Sequence, residues 1–375
     1  MTPRVLVDAA AVPADRGALI RYVDGLVAAL DRAGADLSVV CQRADAERYG
    51  KIAPSARILA GPPAITNRAA RLVWEQTGIP VLARQVGAQV IHAPYYSIPL
   101  HSGLPTVATV HDVTWFTEPG RHDNVRASFF RAATRTAVRS AERVIVPSKA
   151  TRDELVRVLA ADPTRIDVAY HGVDRALFHQ PSEEEVKRVS GRLGLRGRPY
   201  VAFLGAFEPR KNVPNLVKGF GQAVRDLPGS PALVLASGAG WSDEVDEAIS
   251  ALPVAVRVVR PGYLSFADLP GFLGGAVVVA FPSRGEGFGL PVLEAMACGA
   301  PVLTTHRTSL PEVGGDAVAY TEPDAGSISD ALRALLSSGE CRRALAEAGL
   351  ARSREFTWEA SAEAHMMSFQ RAVDQ

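Results

Sequence analysis

Apolar residues follow two alternating rhythms along this chain. Short runs rich in β-branched residues occur at Val5–Val7, Leu37–Val40, Val90–His92, Thr106–Val110 and Arg143–Pro147. Between them lie longer stretches with apolar positions at helical spacing, such as Ile20, Val23, Leu26, Val27 and Leu30. Strand and helix in alternation imply right-handed βαβ units and a parallel sheet. The rhythm pauses over residues 175–198, where Ser182–Leu195 reads as a polar helix with Glu183–Glu185 in its first turn. It restarts with strands at Tyr200–Leu204, Ala232–Leu235, Val256–Val259, Val277–Phe281 and Pro301–Thr304. The last stretch, from Thr357 to Val373, has a helical pattern.

This organisation predicts an α/β protein of two Rossmann-like, doubly wound halves, residues 1–173 and 174–356. A final helical segment, 357–375, is placed to cross back to the first half. Such sheets bind ligands beyond the C-terminal ends of their strands, so the two halves are expected to face one cleft.

Composition narrows the classes. The chain has 375 residues, is 47% hydrophobic and carries a formal net charge of +1, which excludes a strongly basic nucleic-acid binder and a disordered acidic chain. Cys41, Cys298 and Cys341 are too far apart for a disulfide framework or a metal knuckle, and a reducing cytoplasm is the simplest setting. No apolar run reaches the ~18 residues of a spanning helix, so the protein is expected to be soluble or peripheral.

Two glycine-rich turns concentrate the chemistry. In Pro282-Ser-Arg-Gly-Glu-Gly-Phe-Gly-Leu-Pro291, a buried strand gives way to a loop that opens a helix, with Pro291 in its first turn. The amides and dipole of a helix start favour an anion such as a diphosphate. Glu286 stands at the mouth of that site, and Glu294 lies about two turns on. The second turn is Tyr200-Val-Ala-Phe-Leu-Gly205-Ala-Phe-Glu-Pro-Arg-Lys-Asn-Val-Pro214, with Arg210 and Lys211 before a helix. Cations are unfavourable at a helix start, which weakens the plain reading of a solvated surface. In the first half, His111 and Asp112 end a strand at the expected cleft; Asp112 could orient the imidazole or cap the next turn. Arg131, Arg135, Arg139 and Arg143 recur every four residues and form one basic stripe if helical.

The stretch from Glu286 to Glu294 resembles the signature of retaining glycosyltransferases of family four, the glycosyl transferases group 1, and segments 71–75 and 90–99 resemble their mannosyltransferase branch. The resemblance implies the GT-B fold and transfer of a hexose from a nucleotide diphosphate sugar, with GDP-mannose favoured and UDP sugars open. It implies that Glu286 contacts the transferred sugar and that Gly287, Phe288, Gly289 and Leu290 hold the diphosphate. By the same resemblance Glu294 takes the ribose, and Gly205, Arg210 and Lys211 clamp phosphate. Tyr263 and Leu264 lie along the base, and His111 lies beside the sugar. Gly17, with Arg21 nearby, stands where relatives carry a glycine-rich loop, here thinned.

The implied catalytic set is His111, Glu286, Lys211 and Arg210, with no metal and no cofactor, and the chain has no Asp-x-Asp. The implied acceptor is a glycan or a lipid-linked glycan at the cytoplasmic face of a membrane; the arginine stripe reads either as a solvated helix face or as a contact for anionic lipid headgroups or acceptor phosphates. Ala206, where many relatives place Arg or Thr, leaves open a relative that binds donor without turnover. A dinucleotide oxidoreductase would need Gly-x-Gly-x-x-Gly after a strand, and neither half has it.

Overall fold

The computed structural model describes residues 2–12, 17–117, 124–227, 229–237 and 243–375. The chain divides into two compact units, Met1–Gly172 joined by Phe356–Gln375, and Val173–Glu355.

The first unit holds seven parallel strands: β1 (Val5–Asp8), β2 (Leu37–Cys41), β3 (Arg57–Ala60), β4 (Val90–Ala93), β5 (Thr106–Thr109), β6 (Arg143–Val146) and β7 (Ile166–Val168). Their order is β3-β2-β1-β4-β5-β6-β7. The second unit holds β8 (Tyr200–Leu204), β9 (Ala232–Ala236), β10 (Val258–Gly262), β11 (Val278–Phe281), β12 (Val302–Thr305) and β13 (Ala319–Thr321), ordered β10-β9-β8-β11-β12-β13. The inner strands are buried on both faces, which is why they read as unbroken apolar runs. In each sheet the winding reverses once, between β1 and β4 and between β8 and β11. Ligands of doubly wound sheets bind at such switch points.

The helix Trp358–Val373 packs on the first unit against the helix Ala18–Arg32. The fit leaves no room for a larger residue at two glycines. A Cβ on Gly25 would come within 2.2 Å of the Trp358 ring, and one on Gly172 within 2.2 Å of the Trp358 backbone nitrogen.

Three strands had no forecast from the pattern: β3, β7 and β13. All are sheet edges. β10, a fourth edge, runs Val258–Gly262 instead of the expected Val256–Val259. The arginine stripe is also corrected. The helix Asn124–Ser140 ends before Arg143, which lies in β6. Arg143 is buried and forms a bidentate pair with Asp167 of β7, at 2.8 and 2.7 Å. Only Arg131, Arg135 and Arg139 share the helix.

Candidate active site

Both glycine-rich turns lie at the switch point of the second sheet. β8 ends at Leu204, and Pro209–Lys211 forms one tight turn. Asn212 then takes a left-handed backbone (φ +62°) before the helix Val213–Val224. The Asn212 amide donates to the carbonyls of Pro282 (3.1 Å) and Pro323 (2.6 Å), so the turn after β8 is tied to the turn after β11. β11 leads through Pro282–Gly289 into the helix Leu290–Ala297. Gly289 has φ +107°, and a Cβ there would stand 2.9 Å from Leu310. Backbone and neighbour together demand glycine.

The two turns bring charge together. Lys211 Nζ donates to Glu286 Oε1 at 2.6 Å, and Arg210 donates to Oε2 at 2.6 Å. Ser283 Oγ donates to Oε1 at 2.6 Å. Arg210 also pairs with Glu208 at 2.8 Å. Lys211 Nζ lies 4.8 Å from the centre of the Phe281 ring. Glu286 and Lys211 are 8% and 7% exposed, so this is a buried ion pair, whose desolvation only close partners can offset. Burial alone would raise the Glu286 carboxyl, but the charges of Arg210 and Lys211 bring it down to about 2. Burial, with the Arg210 charge beside it, lowers the Lys211 ammonium despite Glu286. The loop is continuous with a helix start, where the dipole favours a further anion.

The remaining forecast residues of this unit fall around that centre. Gly287, Phe288, Gly289 and Leu290 are buried along the loop and helix start, and Glu294 is buried one turn further into the helix, 1% exposed. Gly205 follows β8, its N–H bonded to Ala236 O at 3.1 Å. Tyr263 and Leu264 follow β10, and Tyr263 is 56% exposed.

Sequence reasoning passed over four supports. Ser283 holds the carboxylate directly, and Arg284 donates to Asn212 at 3.0 Å. Thr308 and Ser309 bond the backbone of the loop from beyond β12. Their signal was a Thr-Ser pair just before Leu310-Pro-Glu, a segment that reads as structural.

In the first unit, His111 follows β5. Its Nε2 donates to the Pro94 carbonyl at 2.8 Å, so the neutral ring presents Nδ1 as an acceptor. Burial lowers the pKa of His111. Asp112 caps the next turn, accepting from Thr114 N (3.1 Å) and Thr114 Oγ1 (2.9 Å). Tyr22 sets its ring edge-on to His111, with centroids 4.8 Å apart.

Tyr22 belongs to a buried hydrogen-bond chain whose direction is fixed. His365 Nδ1 donates to Ser361 O at 2.7 Å, so its neutral Nε2 must accept, and the Tyr22 hydroxyl donates to it at 2.9 Å. Tyr22 in turn accepts from Thr109 (2.9 Å), which accepts from His92 Nε2 (2.9 Å). Gly17 caps the helix Ala18–Arg32 with ordinary backbone, and among the described residues no atom comes within 4 Å of where its Cβ would stand. Arg21 lies in the first turn of that helix.

Among the described residues no helix is long and apolar enough to cross a membrane. The family model for glycosyl transferases group 1 matches residues 187–352, and that for glycosyltransferase family 4 matches 20–177. An O-antigen chain mannosyltransferase B of Escherichia coli is 31% identical over 72% of this chain and 71% of its own length. A D-inositol 3-phosphate glycosyltransferase of Segniliparus rotundus is 32% identical over 63% of this chain, but over only 54% of its own length. The Anabaena HepE protein in complex with UDP-glucose shares the fold, with a TM-score of 0.75 at 18% identity, covering 97% of this chain and 98% of that one. The chain therefore belongs to glycosyltransferase family four: it is a glycosyltransferase of the GT-B fold that takes its sugar from a nucleotide donor.

Proposed function

We propose that the protein transfers mannose from GDP-mannose to a hydroxyl of a glycan or lipid-linked acceptor, with retention of anomeric configuration. The observation that carries this reading is the Glu286 carboxylate held between Lys211 and Arg210 beside the start of the Leu290–Ala297 helix. A leaving diphosphate gains negative charge as the glycosidic bond breaks, and cations fixed beside it stabilise that transition state more than the ground state. Donor binding gives Lys211 and Arg210 a second anion, which frees a Glu286 oxygen to accept from a sugar hydroxyl. The backbone of Gly287–Leu290, with the turn at Gly205, holds the diphosphate. Glu294 takes the ribose hydroxyls, and Tyr263 and Leu264 lie along the base. His111 Nδ1 accepts from a hydroxyl of the transferred sugar.

In the chemical step the bond from the anomeric carbon to the diphosphate breaks. The acceptor oxygen bonds to that carbon from the same face, and its proton passes to an oxygen of the leaving diphosphate. Gly17 and Arg21 border the acceptor. Arg131, Arg135 and Arg139 give peripheral contact with an anionic membrane at the cytoplasmic face. Unchanged cosedimentation of Arg135→Glu plus Arg139→Glu with anionic liposomes would remove that contact.

Mannose rests on segments 71–75, 90–99 and 109–112 and on the mannosyltransferase relative. A UDP-sugar reading is favoured by the UDP-glucose-bound neighbour. A thermal-shift panel of GDP, GDP-mannose, UDP and UDP-glucose separates the two, since a ligand at a hundredfold excess over Kd adds about 2.7 kcal/mol to the folded state. Shifts confined to guanine compounds are expected; shifts confined to uracil compounds would overturn the donor and keep the class. Anomeric NMR of the product then reads the stereochemistry. Binding without transfer to any acceptor would support a relative that has lost turnover.

A further inference from the structure

Thr308 is a β-branched residue in the left-handed region, at φ +47°. Such residues avoid that conformation, and where one is held in it the surroundings must over-determine it. Thr308 is exposed, so core packing does not hold it there. Its hydroxyl does. Oγ1 accepts from the N–H of Glu286 at 2.9 Å and donates to the C=O of the same residue at 2.9 Å. One hydroxyl has one proton and two lone pairs, so both bonds form at once.

The consequence is geometric. The N–H and C=O of Glu286 lie on the two peptide planes that flank its Cα. Pinning both fixes its backbone dihedrals, and with them the direction of its Cα–Cβ bond. That direction decides whether the carboxylate reaches Lys211, Arg210 and Ser283. Ser309, fully buried, has its single hydroxyl proton between two carbonyls, Glu286 O (2.8 Å) and Phe288 O (2.9 Å). Leu310 closes the side of Gly289. Three consecutive residues thus brace the loop that carries Glu286.

We propose that Thr308 is a positioning residue for sugar transfer: its hydroxyl bridges the two peptide groups of Glu286 and aims the carboxylate at the donor. This rests on the role of Glu286 given under Proposed function. Glycine would relieve the backbone at 308 and valine would keep the shape, but neither can make the bridge; serine can.

The test compares Thr308→Val, Thr308→Gly and Thr308→Ser for transfer kinetics, nucleoside diphosphate affinity and melting temperature. The expected result is a loss in kcat of about 10- to 100-fold for Val and Gly, as for a misplaced catalytic group. Ser should stay near the wild-type kcat, and diphosphate affinity should change little throughout. Melting temperature is read on every variant, so that activity lost in one that melts near the wild-type temperature is not lost folding. The proposal is overturned if Val and Gly keep kcat within about twofold of wild type, the scale of an ordinary surface change, while Glu286→Ala is inactive. It is also overturned if activity, diphosphate affinity and melting temperature fall together, which would make Thr308 a general prop of the loop. If Glu286→Ala itself keeps full activity, the reading of the site fails before the role of Thr308 is reached.

Discussion

Each unit buries a polar cluster, and the two clusters solve the same problem in opposite ways. In the second unit, Glu286 stays charged because two cations and a hydroxyl surround it. In the first unit, Tyr22, Thr109, His92 and His365 are equally buried, but every member is neutral. Desolvation lowers the pKa of His92, His171 and His365, the last to about 4. A charged cluster can trade one anion for another, which a phosphate site needs. A neutral chain has one polarity and fixes a helix in place.

The largest effect expected from breaking this contrast is on turnover. Lys211→Ala removes one cation and leaves Glu286 buried with Arg210 and Ser283. A loss in kcat of about 100- to 1,000-fold is expected, the range for deleting a transition-state donor. Steady-state kinetics with saturating donor reads it, and unaltered turnover would place the chemistry elsewhere. In the neutral cluster the effect should fall on stability. His365→Ala strips the acceptor from a buried Tyr22 hydroxyl and opens a cavity, at a cost of about 2–4 kcal/mol in urea unfolding of the first unit.

A pH experiment sharpens the comparison further. The folded pKa of His365, about 4, lies below the unfolded value near 6.5. The unfolded chain therefore takes the proton first. Stability from the neutral ring is complete above about pH 6.5 and is lost as pH falls toward 4. Between pH 8 and pH 5 this amounts to about 2 kcal/mol. Asp8 opposes the trend, because burial, with Glu75 nearby, raises it to about 7. The comparison must accordingly be differential: His365→Gln should lose less stability than wild type over that interval, and equal losses would mean that His365 is charged in the fold. Glu286 has the same sign in a more acidic window, its contribution being present above about pH 4.5 and lost toward 2. The smallest effect is expected at the rim. Tyr263→Ala should weaken nucleotide affinity by about 1 kcal/mol by calorimetry, as for loss of one partly exposed aromatic contact.

The sequence was most legible where the molecule is most buried. Inner strands such as β1, β8 and β11 face apolar surroundings on both sides, and their composition says so. β3 has exposed ends and a half-buried middle, and β7 and β13 have three residues each, so edge strands carry little periodic signal. Arg143 misled for a related reason: a spacing of four continued across a helix end, whereas Val144-Ile-Val146 gave the better local clue. The glycine-rich loops were legible because backbone geometry restricts which residues they admit. The Thr308 brace was not, since it spans 22 positions and bonds to peptide groups that every residue has.

The close fit of Trp358 on Gly25 and Gly172 bears on the order in which the protein is made. The first unit lacks its last helix until the whole of Val173–Glu355 has been synthesised. At about 5–20 residues per second that is an interval of roughly 10–40 s. During it the apolar face of the Ala18–Arg32 helix and the Tyr22 hydroxyl await their partner. The second unit, continuous in sequence, has its full complement of residues first. Nascent-chain proteolysis should find Val173–Glu355 protected before Met1–Gly172, against the usual N-to-C order of domain folding.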